Sequence, residues 1–360
     1  MALADFQRID HFGDATSEAR TCRNACALFD FSFLESARIC GGRAQQVVEA
    51  FTGRSLDGLP VGKIAYALRV GAAGEVIADL TIWRIDGETF EVMSGRREDI
   101  VDLAGCAGPN VAVSEVADRA TFAVQGPSSL DALRRLGASD ATAALPYFAF
   151  ADASLERIAC RIGRLGYTGE PGFEIICRRS DAERLWQAIA RSVRPAGFIA
   201  LDMLRIEAGF VLFSNEFRLP VTPAEAGLGK FHRAAPLPPP RIALVSFAAD
   251  ADRLAWPWQP RGRCERPSMP GEIVVTSACE SVVAGRILGL GYVFAGAKTE
   301  DGGGDGPGAS LRDPTGIFRN VRQTPLPYYD TAKRRPRLPW RQVSNRGAAP
   351  TQWPNENSQS

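Results

Sequence analysis

Histidine is almost missing from this chain. His11 and His232 are the only two in 360 residues. The eight cysteines do not fill the gap, because their spacing is irregular and the closest pair, Cys22 and Cys26, stands four apart. No zinc pattern forms, and no metal is expected. Charge of one sign is also missing: 42 Lys and Arg against 41 Asp and Glu leave a formal net charge of +1. No global field recruits nucleic acid or an acidic membrane. No apolar run approaches the length of a membrane span. Met1 to Asp10 carries no basic stretch followed by an apolar one, so no secretory signal is read. Reduced, mostly buried thiols in a cytoplasmic protein are the expectation.

What is present is ordinary for a globular chain, at 45% hydrophobic and 23% charged residues, and long enough for two or three domains. Residues 1–30 read as partly helical. Residues 42–51 read as a short helix with Val47, Val48 and Phe51 on its apolar side. Three strands follow, at 64–70, 76–85 and 89–93, joined by turns at Gly71 to Gly74 and at Asp86-Gly87. A strand at 121–124 enters Gly126-Pro127 and a helix over 128–136, and further strands are expected at 155–162 and 173–177. Ser180-Asp181-Ala182-Glu183 reads as a capping box opening a helix with Leu185, Trp186, Ile189 and Val193 on one face. This order predicts an α+β fold. Pro-rich 234–240 marks a boundary, 242–292 is strand-rich as a small β-barrel is, and 300–309 is a Gly/Asp-rich loop. The polar stretch 333–360 reads as a disordered tail whose Lys333-Arg334-Arg335 cluster is solvated.

The most informative stretch is Gly166-Tyr167-Thr168-Gly169-Glu170-Pro171-Gly172-Phe173-Glu174-Ile175. A Gly-rich turn leads into a strand, and Glu174 alternates with Phe173 and Ile175, so its carboxylate leaves the core face. Other blocks stand in register with it. They are Leu28-Phe29-Asp30-Phe31-Ser32; Gly62, Tyr66 and Gly74 to Leu80; Val124-Gln125-Gly126-Pro127; Asp202 to Gly209; Thr276-Ser277; and Gly291-Tyr292-Val293. Together, over about residues 25–329, they resemble the aminomethyltransferase family, the folate-binding T-proteins of glycine cleavage and their relatives.

The resemblance implies a clover-leaf of three domains with a C-terminal β-barrel. Residues 1–233 would form two intertwined α+β domains, 241–330 the barrel and 331–360 the tail. It implies tetrahydrofolate, or a related tetrahydropterin, as the cofactor. The donor would be a small methylated or aminomethylated compound, free or held on a carrier protein or partner subunit. Asp79 corresponds to the family's critical aspartate. A carboxylate there can orient the reduced pterin and stabilise positive charge developing at the attacking nitrogen. Glu174 corresponds to the second pterin-binding acid, whose two oxygens suit the donor pair of an amino-pyrimidinone edge. Tyr66, Ser94 and Tyr167 fall at cofactor-binding positions, as does Tyr328 or Tyr329. Arg205 and Glu207 are read as structural, making internal pairs.

Departures from the family are as informative. The first residue of its paired aspartates is Ala78, the asparagine of its Val-Val-Asn strand is Ser94, and the histidine after Ser32 is Phe33. The arginine before Asp202 is Leu201, and an apolar side chain cannot replace a guanidinium that grips a carboxylate with two hydrogen bonds. The N-terminus also reads as short, without the segment that lines one side of the folate site in T-proteins. Two functions remain open: one-carbon transfer to tetrahydrofolate, or folate binding without catalysis in an assembly or regulatory role. The Cys-bearing motif of the family's iron–sulfur-assembly branch is absent from 210–217, which disfavours that branch. Gly227-Leu228-Gly229-Lys230 lacks the first glycine and the hydroxyl residue of a phosphate loop, so a nucleotide enzyme is set aside.

Overall fold

The computed structural model describes residues 8–232, 239–252, 254, 258, 265–295 and 307–343. Three sheets carry the fold. The first has five antiparallel strands in the order Ile64–Val70, Val76–Arg84, Thr89–Ser94, Glu35–Cys40 and Ala112–Glu115. The three strands expected at 64–70, 76–85 and 89–93 are present, and burial alternates along Val76–Arg84 as far as Ile82. Val76, Ala78, Leu80 and Ile82 are buried on one face, where they join Val48 and Ile100 from helices Ala44–Thr52 and Arg97–Ala104. Asp79, Thr81 and Trp83 take the other face, because side chains alternate along a strand.

The second sheet has six strands, in the order Arg194–Pro195, Ala27–Asp30, Arg119–Gln125, Gly172–Arg178, Ile158–Gly163 and Phe150–Leu155. One face is covered by helices Ser129–Arg135 and Ala182–Ala190, whose Leu133, Leu185 and Ile189 meet Phe173, Ile175 and Cys177. The other face meets the first sheet, where Trp83 and Met93 pack with Phe150, Leu165 and Ile176. Glu91 fastens the two sheets. It is buried, accepts hydrogen bonds from Arg38, Arg119 and Arg161, and those guanidiniums outweigh burial to hold its carboxyl down at about 2. Helix Phe198–Glu207 is buried from Ile199 through Glu207 between the second sheet and the third.

Several expectations are corrected. The third sheet is open: its order is Val274–Glu280, Ile287–Phe294, Ile242–Asp250, Arg319–Thr324 and Ser310–Leu311, and beside the outer strands a single bridge, Glu272 to Arg312, does not extend into a ladder. No barrel closes among the described residues. The single strand expected at 155–162 is a hairpin whose turn is Glu156-Arg157, both at positive φ (49° and 61°). Two such residues carry no glycine or asparagine signal, which hid the turn. Helix Ala182–Ala190 follows a 3-10 turn at Arg179–Asp181, and no side chain of the expected capping box caps it.

The tail is also corrected. Residues 331–343 are folded onto the body, with Pro336 buried and Arg335 paired with the buried Glu170. The boundary at 234–240 and the loop at 300–309 fall mostly outside the described residues, and 344–360 does so entirely.

Candidate functional site

The Gly166–Gly172 turn owes its shape to Gln125. From the Val124-Gln125-Gly126-Pro127 strand end, the Gln125 amide donates to the carbonyls of Leu165 and Phe173 at 3.1 and 3.3 Å and accepts from Thr168 Oγ1 at 3.1 Å. A Cβ on Gly166 would lie 1.8 Å from Gln125 Oε1, so only glycine fits there. Gly169, at φ 79°, turns the chain against Ala208 of the buried helix. Three separate sequence blocks therefore meet at one point, and the strand carrying Glu174 starts from it.

Asp79 stands on strand Val76–Arg84, half-buried. Tyr66, from the neighbouring strand, donates its hydroxyl to Asp79 Oδ2 at 3.1 Å. Burial raises the Asp79 carboxyl to about 6 against the pull of the Tyr66 hydrogen bond. The same charge, with burial, pushes the Tyr66 hydroxyl well up, and Tyr167 lies near enough to feel it too. Phe231 sets its ring edge-on to Tyr66 at 4.8 Å, and Phe210 stacks on Tyr167 at 5.7 Å. Tyr167 donates to the Val211 carbonyl.

Glu174 faces the first sheet from the second. Two pleats along from Asp79, Trp83 seats its indole against Gly163, where a Cβ would meet Trp83 at 2.4 Å. Gly163 pairs directly with Glu174. Cross-strand partners share a face, so Asp79 and Glu174 both point into the gap between the two sheets. The expectation that Glu174 turns away from Phe173 and Ile175 holds, and most of the residue is covered: it is 7% exposed. It has no hydrogen-bond or ion-pair partner among the described residues, and burial alone raises its carboxyl to about 8. Tyr147, half-buried, feels the Glu174 charge.

The remaining candidates lie elsewhere. Ser94 pairs with Leu80, one residue on from Asp79, so it belongs to the opposite face of the sheet. Its hydroxyl donates to Asp99 Oδ2 at 2.7 Å in a buried pair. Tyr329 donates to Glu170 and lies under the Arg23 guanidinium at 3.8 Å. Tyr328 is buried in the core around helix Phe198–Glu207. Arg205 and Glu207 are structural, as the sequence suggests. Arg205 holds Asp202 and Glu216 at 2.8 and 2.9 Å, and Glu207 accepts from Arg23 and Ser281, both at 2.7 Å. Leu201 lines a different cleft of about 430 Å³ beside Phe29, Phe122 and Trp186. Sequence reasoning missed Tyr147, Phe210 and Phe231 because a lone aromatic in a loop carries no period; only their number near Gly and Pro could have drawn notice.

The mixed α/β architecture is found in a known structure. The fold is similar to that of the glycine cleavage system aminomethyltransferase T from Bartonella henselae, with a TM-score of 0.70, 22% identity, and coverage of 91% of this chain and 93% of that one. The sequence goes further. The GCVT N-terminal domain model matches residues 3–235. An aminomethyltransferase of Streptomyces avermitilis is 30% identical, covering 92% of this chain and 94% of its own length. One from Saccharopolyspora erythraea is 31% identical over 88% of this chain and 90% of its own length. The chain belongs to the aminomethyltransferase family, a family of transferase enzymes.

Proposed function

We propose that this protein transfers a one-carbon unit to reduced folate, or a closely related tetrahydropterin, bound between the first two sheets. The observation that carries the reading is Glu174: a buried carboxyl with no partner among the described residues, facing the same gap as the Tyr66–Asp79 pair. Leaving such a group without donors costs free energy, about 1–3 kcal/mol or more. A ligand edge with two adjacent N–H donors would relieve it, and a pterin carries such an edge. The donor set therefore fits the group that the family implies.

When bound, the reduced pterin supplies the nitrogen that accepts the carbon unit. The chain's own residues do the rest. Glu174 holds the pterin edge. Tyr66 fixes one oxygen of Asp79, so the carboxylate keeps its orientation. Asp79, ionised near neutral pH, places negative charge where positive charge develops and can take up a proton there. Tyr66, Tyr167, Phe210 and Phe231 wall the site and exclude water. The donor is a small methylated or aminomethylated compound, free or presented by a carrier protein. Ser94 and Tyr329 are left to structural roles.

Titration with tetrahydrofolate, followed by heat or pterin absorbance, tests the reading. Saturable binding that Glu174→Ala weakens by about 1.5–3 kcal/mol is expected. No saturation at millimolar concentration would reject it.

A second reading, folate binding without catalysis, draws on Ser94, which is turned away from Asp79 and committed to Asp99. Loss of no carbon unit from any donor, with folate still bound, would select it.

A further inference from the structure

The segment after Tyr329 is a strap, and its anchors are strong. Arg335 pairs with Glu170 Oε2 at 2.9 Å, and its backbone N–H donates to Asp330 Oδ2 at 2.7 Å. Arg164 donates to the carbonyls of Pro336 and Leu338. Trp340 stacks on Phe173 at 5.1 Å, with Arg164 on the indole at 4.9 Å.

Between these anchors the strap carries two cations over the walls of the proposed site. Lys333 Nζ lies 5.0 Å from the ring of Phe210, which stacks on Tyr167. The Arg337 guanidinium lies 5.6 Å from the ring of Tyr147, the neighbour of Glu174. A third cation, Lys230, follows from the body, next to Phe231 and so beside Tyr66. The cations repel: burial first, then Lys230 and Arg337, bring the Lys333 ammonium down to about 8, and Asp330 offsets this in part. No carboxylate lies within ion-pair distance of Lys230, Lys333 or Arg337 among the described residues. Three cations with only Asp330 to offset them repel one another, and an anion would complete the set.

We propose that Lys230, Lys333 and Arg337 receive the carboxylate-bearing tail of the reduced pterin whose ring is held by Asp79 and Glu174. This rests on the pterin reading above and extends it. The family's usual guanidinium before Asp202 is Leu201 here, and Leu201 faces a separate cleft. The strap thus supplies from the C-terminal side the positive charge that the helix lacks. A second and third glutamyl residue would extend along Arg337, which is exposed, toward solvent.

The test compares two probes on the whole protein: tetrahydrofolate and 6-methyltetrahydropterin, which has the ring but no carboxylate. Lys333→Gln and Arg337→Gln are each expected to weaken tetrahydrofolate about threefold to fivefold, and the pair about tenfold, the scale of partly exposed charge pairs. The tail-free pterin should bind wild type and variants alike, and the folate difference should shrink as salt rises. Lys230→Glu lies outside the strap, so it checks the result should a strap variant unfold. Tetrahydrofolate binding that is unchanged in the double variant and in Lys230→Glu overturns this proposal alone. Equal losses for both probes overturn it as well, since the strap would then be shaping the ring site. Wild type binding neither probe overturns the pterin reading and this proposal with it.

Discussion

Tyr66 gives its hydroxyl hydrogen to Asp79 Oδ2 at 3.1 Å, and that bond works against the burial that lifts the Asp79 carboxyl to about 6. Tyr66→Phe removes the donor and keeps the ring on Phe231. A hydrogen bond to a charged group contributes about 1.5–3 kcal/mol, or roughly one to two units of pKa. The Asp79 carboxyl should then titrate well above 6. If the ionised form is the working one, the acidic limb of turnover moves to higher pH by that amount. Activity falls several-fold at pH 7 and recovers near pH 9. A pH–rate profile superimposable on wild type would show that Asp79 does not work as a charge.

Asp79→Asn separates binding from chemistry. It keeps the shape and most hydrogen bonds, so folate affinity should stay within a few-fold. Turnover should fall by roughly 10²–10³, the usual loss for one electrostatic or acid–base group. The assay is folate-dependent loss of the carbon group from sarcosine, dimethylglycine, glycine-derived aminomethyl carriers, methyl sulfides or methoxy-aromatics. A variant as fast as wild type on any accepted donor sinks the mechanism.

Glu174 makes two pH-dependent statements. Its folded carboxyl titrates at about 8 against an ordinary value of 4.5. The folded state therefore holds the proton over a range in which the unfolded state has released it. Stability is unaffected below about pH 4.5, falls as pH rises through the interval, and levels off above 8, with a total on the order of 4–5 kcal/mol. Glu174→Gln should abolish that fall: equal stability at pH 4, and a more stable variant at pH 8.5, by thermal or denaturant unfolding. Ligand donors would pull the carboxyl back down, so folate binding near pH 7 should release a proton. Calorimetry in buffers of different ionisation heat measures it, and no buffer dependence would mean that Glu174 does not change charge on binding.

Much of this was legible in the sequence for one physical reason: strands alternate. The strand at 76–85 and the turns at Gly71 to Gly74 and Asp86-Gly87 were read from the sequence, and Asp79 stands on that strand. Asp-Met-Leu-Arg-Ile-Glu-Ala-Gly read correctly as a helix with internal pairs. What was not legible lay in tertiary contact. Glu174 read as leaving the core face, and nothing local says that another sheet covers the face it turns to. Ser94 matched by position, yet a strand's two faces differ by one residue, and Asp99 from the following helix captures its hydroxyl. The polar stretch after Tyr329 has the composition of a disordered tail. It folds because Arg335 finds a buried carboxylate supplied from position 170 and Trp340 finds Phe173. Composition cannot register partners so far away in sequence.

Arg23 supplies the last prediction. It is 3% exposed and binds Glu207 Oε2 at 2.7 Å, Glu170 Oε1 at 3.1 Å and the carbonyls of Thr168 and Leu204. It also covers the Tyr329 ring at 3.8 Å. Glu170 keeps Arg335 if Arg23 is lost, whereas Glu207 would keep, among the described residues, only Ser281 and the Val283 N–H. Breaking a buried pair from one side leaves a charge without compensation and costs about 3–5 kcal/mol. Arg23→Met should therefore lower the unfolding midpoint by several degrees, whereas Arg23→Met with Glu207→Gln should recover a large part of the loss. The effect should be on stability first, since neither Asp79 nor Glu174 touches this network. Thermal unfolding of the single and double variants decides it: a single variant within 1 kcal/mol of wild type would mean that the Arg23 cluster is not what holds the 166–172 turn to helix Phe198–Glu207.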